Sequence, residues 1–244
     1  VQSLDDNLLK FLGREHSVAE ALSAMETVRH SFDNFSIDLI YAMAGQTMEA
    51  WKNTLSQALT FDLQHLSLYQ LPIEPGTVFF SRQRQGETLT IDDDHAADFY
   101  NLTQYLTTAA DLPAYEISNH CKPNSQCQHN MNYWNAGDWI GIGPGAHGRF
   151  TKPASNHTNF QRIGTATRRS PNGWLQAVQT KGHGINTQTN DSASAFAAEI
   201  IMMGLRLTDG LEIQQIEKIC GPRSDWLDND AMMQMIAAGW LDGN

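Results

Sequence analysis

Cysteine is scarce in this chain. Its 244 residues include three, Cys121, Cys127 and Cys220, too few and too odd in number for the disulfide framework of a small secreted domain. No apolar run reaches the roughly 20 residues that a bilayer-crossing helix needs, and no basic-then-apolar start resembles a secretory signal. Positive charge is also sparse: 16 Lys and Arg face 27 Asp and Glu, for a net charge of -11. That balance argues against sequence-independent nucleic-acid binding, which gathers Lys and Arg against phosphates. Low-complexity tracts are missing too, and 41% hydrophobic with 18% charged residues describes an ordered globular protein. The expectation is a cytoplasmic protein of one large domain, or one domain with a small appendage.

What is present alternates between two periods. Ser17-Val18-Ala19-Glu20 has capping-box spacing, and Val18, Ala21, Leu22, Met25 and Val28 follow at helical intervals, predicting a helix over 18–30. Residues 35–41 are rich in aromatic and β-branched types and predict a strand, and 47–59 returns to helical spacing through Met48, Trp51, Leu55 and Leu59. A second strand is expected over 65–71, ended by Pro72 and Pro75, which cannot continue a central ladder. Residues 94–108 predict a helix, with Asp92, Asp93 and Asp94 at its positive end, where acids need no catalytic role. Residues 114–118 make a third strand. Strands alternating with helices predict a parallel α/β sheet, which binds ligands at the C-terminal ends of its strands.

Residues 119–165 break the alternation with Asn, Gly, Pro and aromatics, and read as a long functional loop with short strands. From Ser192 onward the chain turns helical, through Phe196, Ile200 and Leu205, then 213–219 and 231–238, as a small C-terminal subdomain. The expected division is 1–118, 119–190 and 191–244. Both ends read as cut: the chain enters directly on Val1-Gln2-Ser3, and it stops just after a helix-like segment where a strand would follow.

The densest chemistry lies in His129-Asn130-Met131-Asn132-Tyr133-Trp134, followed at once by Gly137-Asp138-Trp139. An imidazole is a good haem-iron donor, and Tyr133 and Trp134 are suited to packing on a porphyrin edge or face. On pattern alone a second reading stands beside this one, in which His129 and Asn130 satisfy backbone groups in a loop while the aromatics are core. Gln2, Arg14 and Asp38 fall on successive units of the α/β pattern, a placement from which convergence on one rim is the expectation. Arg14 suits a two-pronged contact with a carboxylate, and Asp38 suits sugar hydroxyls; taken singly, each also suits a loop ion pair or helix cap.

Two further patterns are discounted. Cys121, next to His120, and Cys127 invite a metal-site reading, but zinc sites use tighter cysteine pairs and a second cluster. Gly143 to Gly148 matches G-x-G-x-x-G, yet it runs into Arg149-Phe150-Thr151-Lys152-Pro153, with no helix to bind a pyrophosphate. A glycine-rich turn at a strand end is the better reading, with His147 a second-choice iron ligand.

Together these segments resemble the coproporphyrinogen III oxidase-like radical SAM family, and most closely its haem chaperone branch. The resemblance is carried by Val1-Gln2-Ser3, Leu12-Gly13-Arg14, Asp38-Leu39-Ile40-Tyr41, Gly45-Gln46-Thr47, Leu68-Tyr69-Gln70-Leu71, Ile73-Glu74-Pro75-Gly76-Thr77, Tyr115-Glu116-Ile117-Ser118, His129 to Trp134, Gly141 to Gly148 and Gly204-Leu205-Arg206-Leu207-Thr208. It implies a partial radical SAM (β/α) barrel, entered midway, with a small mainly helical C-terminal domain. It further implies that Gln2, Arg14 and Asp38 contact S-adenosylmethionine, and that His129, Asn130, Tyr133 and Trp134 belong to a haem motif with His129 on the iron. The implied partners are haem and the haem-accepting proteins it is passed to, membrane-bound respiratory enzymes among them.

Two departures qualify the resemblance. The family's C-x-x-x-C-x-x-C motif for a [4Fe-4S] cluster is absent from these residues, so that cluster belongs to an intact, longer protein, and Ala42-Met43-Ala44 replaces the usual Gly-Leu-Pro. The alternatives are an oxygen-independent coproporphyrinogen III oxidase, which decarboxylates propionates, and a non-catalytic fragment.

Overall fold

The structure, a computed structural model, describes residues 1–153 and 160–242. It divides into two compact units, residues 1–127 and 128–244. The limits drawn from sequence fall elsewhere, after residue 118 inside a strand hairpin and after residue 190 inside a strand, because pairing holds both stretches together.

The first unit runs α1 (Asp6–Phe11), α2 (Val18–Ser31), β1 (Ser36–Tyr41), α3 (Met48–Leu59), β2 (His65–Gln70), α4 (Val78–Arg84), α5 (Asp93–Ala109), β3 (Ala114–Glu116) and β4 (Asn119–Cys121). Its helix starts are written in the sequence. Ser17 and Glu20 complete the reciprocal capping box of α2, and Asp92 accepts from the His95 backbone N–H at 3.1 Å at the start of α5. In β1 the pleat buries Ile37, Leu39 and Tyr41 against the helices and turns Ser36 and Asp38 outward. Trp51 of α3 is fully buried and stacks on Tyr41 with ring centroids 4.9 Å apart.

The sheet order is β1-β2-β4-β3. β1 and β2 are parallel, as expected. The third strand departs from the parallel expectation: residues 114–118 yield only the three-residue β3, which folds back on β4, and β4 pairs antiparallel with β2. The turn between them is held by Glu116, whose buried carboxylate accepts from the Ser118 backbone N–H at 2.8 Å and the Asn119 side-chain amide at 2.5 Å.

The second unit runs α6 (Gln128–Trp134), β5 (His147–Pro153), β6 (Phe160–Thr167), α7 (Pro171–Lys181), β7 (Ile185–Asp191), α8 (Ala193–Gly204), α9 (Ile213–Cys220), a short 3-10 turn (Arg223–Asp225) and α10 (Asn229–Ala237). The expected C-terminal helices are present. β5-β6-β7 form an antiparallel sheet, more regular than the short strands expected before residue 165. Phe196 and Ala197 of α8 pack with Ile216 and Cys220 of α9 as this unit's core. Among the described residues no helix is long and apolar enough to cross a membrane.

Candidate functional site

Gln2 and Asp38 lie side by side in the first unit. The Gln2 backbone N–H donates to the Asp38 carbonyl and the Gln2 carbonyl accepts from Ile40, both at 2.8 Å, so residues around Gln2 pair with β1 on the edge opposite β2. Gln2 adopts a positive φ of 67°, a left-handed conformation that a non-glycine residue rarely takes. The Asp38 side chain is exposed on the face away from the core. Arg14 follows α1, its backbone N–H on the Leu9 carbonyl at 2.8 Å, with its side chain exposed. Burial lowers the pKa of the Val1 amine, with Asp38 opposing the shift and Arg14 adding to it.

The same sheet face carries a second polar row that sequence did not single out. His65 is buried, with Nδ1 at 2.7 Å from Ser36 Oγ and Nε2 at 3.0 Å from Tyr115 Oη. Burial lowers the His65 pKa, while Asp38 and Glu116 oppose the shift. The row shares its face with Asp38, whose register partner is Ser67.

In the second unit, the segment expected to be an irregular loop is the helix α6. Residues 128–134 hold no Gly, Pro or β-branched residue to resist helix formation, and the motif spaces His129 from Tyr133 and Asn130 from Trp134 by four, one turn apart on shared faces. The turn that follows the helix closes at Gly137, whose N–H donates to the Asn132 carbonyl at 2.7 Å. A Cβ at Gly137 would stand 2.2 Å from Asn132 Oδ1, so only glycine fits there.

His129 is exposed, and its ring meets Tyr133 edge to face at 4.8 Å and 81°. Tyr133 in turn leans on Trp139 at 4.5 Å. Trp134 lies under the Arg206 guanidinium at 4.4 Å, which joins two separate sequence motifs, and its indole nitrogen is buried with no hydrogen-bond partner among the described residues. Asn130 is half-buried on α6. Just beyond Trp139 in the chain, Ile140 and Ile142 are 83% and 84% exposed.

The glycine-rich turn leads into β5, as expected. Trp139 bridges Arg149 through two backbone hydrogen bonds of 2.7 and 2.9 Å, and a Cβ on Gly141 would sit 2.4 Å from the His147 carbonyl oxygen. The His147 imidazole is exposed, and its carbonyl accepts from the Trp139 indole at 3.2 Å.

Sequence reasoning missed Arg162. Its side chain on β6 is wholly out of solvent. Nε and Nη2 donate to Glu199 Oε1 on α8 at 3.2 and 3.0 Å, Nη1 donates to Asp138 Oδ1 at 2.8 Å and Thr151 Oγ1 at 3.1 Å, and Nη2 also reaches the Gly137 carbonyl at 3.0 Å. The guanidinium faces the Trp139 and Phe196 rings at 5.4 and 4.9 Å.

The donor chemistry sorts the implied groups. An exposed imidazole with an aromatic ring against it fits haem, whose iron takes a histidine while its ring packs on apolar groups. An amide, a guanidinium and a carboxylate, as carried by Gln2, Arg14 and Asp38, are donor and acceptor types that suit the amino acid and ribose portions of S-adenosylmethionine. A [4Fe-4S] cluster does not fit: Cys121, Cys127 and Cys220 are separate free thiols, and no group of three or more His, Cys, Asp or Glu among the described residues is arranged to hold a metal.

Comparison with known proteins first defines the class. The chain superposes on the coproporphyrinogen III oxidase HemN of Escherichia coli, a radical SAM enzyme, with a TM-score of 0.74 over 98% of this chain and 56% of that one, at 16% identity. The fold is that of a partial radical SAM barrel. No family model matches the chain. Sequence relatives are nearer: the mouse radical S-adenosyl methionine domain-containing protein 1, mitochondrial, is 37% identical over 216 residues, covering 88% of this chain and 48% of its own length. The haem chaperone HemW of Escherichia coli is 37% identical over 210 residues (86% and 52%), and that of Haemophilus influenzae 34% over 222 residues (91% and 54%). The chain belongs to this HemW-like radical SAM family, and it spans about half the length of the curated relatives it matches.

Proposed function

We propose that this chain forms the haem-carrying part of a radical SAM haem chaperone, with His129 as the iron ligand and Tyr133, Trp134 and Asn130 lining the macrocycle. The observation that carries the reading is the exposed His129 imidazole held edge to face by Tyr133. Haem would supply an iron able to take a histidine nitrogen; His129 would hold that iron, and Tyr133 and Trp134 would cover the macrocycle with aromatic surface. Gln2, Arg14 and Asp38 would hold S-adenosylmethionine: Arg14 by its carboxylate, Asp38 by its ribose hydroxyls, and Gln2 by polar contact beside them. In the intact protein a [4Fe-4S] cluster would be held by residues outside this chain.

Delivery of the bound haem to haem-requiring proteins, membrane-bound respiratory enzymes included, completes the proposal. Relatives of both bacterial and mitochondrial name share the match, so a cytoplasmic location does not follow from membership. The test is haem titration of the full chain. A red-shifted Soret band is expected in the wild type and lost in His129→Ala; a shift that persists unchanged in the variant removes His129 as the ligand.

A further inference from the structure

Arg162 belongs to none of the segments that carry the family resemblance, yet three successive ring contacts connect it to His129. We propose that Arg162 is the positioning residue for the His129 imidazole, acting through Trp139 and Tyr133; the inference rests on the reading of His129 as the haem ligand.

The helix that bears His129 has seven residues, too short to hold its own conformation in water. The direction of the imidazole is therefore set by what α6 packs against. One such support is Trp139, and Trp139 is fixed from three directions. Its backbone pairs with Arg149, its indole N–H donates to the His147 carbonyl at 3.2 Å, and its ring faces the Arg162 guanidinium at 5.4 Å. Tyr133 leans on that fixed ring at 4.5 Å and meets His129 at 4.8 Å.

Burying a guanidinium with two carboxylates is seldom the most stable way to fill a core, since apolar residues of similar volume often serve as well or better. What the guanidinium adds is direction. Its planar fork engages Glu199 on α8, Thr151 on β5, and Asp138 and the Gly137 carbonyl in the turn that ends α6. A rigid fork with five donors specifies the placement of that turn in a way that a point charge or an apolar chain does not. Groups that orient a metal ligand from behind are a general means of tuning the ligand.

The test compares Arg162→Lys, which keeps the charge and loses the fork, with Asp138→Ala, which removes one of the two Arg162 links to that turn, at a half-exposed carboxylate, and leaves the Gly137 carbonyl link. In the full chain without haem, the His129 ring protons are expected to lose the NMR shift imposed by the Tyr133 ring in both variants, and Asp138→Asn, which keeps an acceptor, is expected to restore it. Haem affinity is expected to fall by about 10-fold in Arg162→Lys and Asp138→Ala, the scale of lost outer-shell support. If Arg162→Lys does not fold, Asp138→Ala decides. Wild-type His129 resonances in folded Asp138→Ala overturn the proposal. Failure of wild-type haem binding through His129 sinks the haem reading instead, and the haem-free resonances still report on positioning.

Discussion

Arg162 and Glu199 meet at 3.0 Å between β6 and α8, with the guanidinium fully withdrawn from solvent and the carboxylate 14% exposed. Removing one partner of such a pair strands the other charge. Glu199→Ala is expected to cost about 3–5 kcal/mol. Asp138 is 50% exposed, so Asp138→Ala is expected to cost no more than about 1 kcal/mol. Urea melts of the two variants side by side check the order, and an equal loss in both contradicts it.

The Trp51 indole donates to Thr103 Oγ1 at 2.8 Å, and that hydroxyl donates onward to the Phe99 carbonyl at 2.7 Å, joining α3 to α5 inside the core. Thr103→Val keeps the shape and leaves the indole N–H unmet. A loss of about 1–3 kcal/mol is expected. Thermal unfolding of the variant checks it, and an unchanged melting temperature rules it out.

Burial pushes the His120 imidazole down to about 4 from an ordinary 6.5, with neighbouring His65 adding to the shift. In that window the unfolded chain takes up a proton that the folded one refuses. The contribution is fully present above pH 6.5 and is lost as pH falls toward 4, by an amount on the order of a few kcal/mol. Stability measured across these pH values in wild type and His120→Leu is expected to show a shallower acid slope in the variant; parallel slopes exclude His120 as the cause.

Burial raises the thiol pKa of Cys220 to about 11 and raises that of Cys121 as well. Thiolates are the reactive form. Half-buried Cys127 is therefore expected to be alkylated first in the folded protein, with the other two labelled only after denaturant is added. Peptide mapping by mass spectrometry reads the order directly, and early labelling of Cys220 contradicts the burial described.

Local signals were legible wherever cause and effect lie within one turn. Ser17 and Glu20 announce α2 because they are three residues apart, and β1 shows its pleat in alternating residues. The meeting of Gln2 with Asp38 was also foreseeable, from their places in successive units of the pattern. The reversal of β3 and β4 was not, since each strand has three residues and no period to read. α6 was hidden because its aromatic and amide residues suit a loop as well as a helix, and the distinction lies in the close seat of Gly137 on Asn132. Arg162 left no trace, as its acidic partners lie 24 and 37 residues away along the chain.

The brevity of α6 turns residue count into a constraint as strong as residue identity. Each position advances a helix by about 100°, so adding or deleting one residue between His129 and Tyr133 swings the imidazole roughly a quarter-turn off its aromatic neighbour. Exchanges at Met131 leave that angular relationship untouched. Variation in this segment should accordingly be tolerated in composition and refused in length.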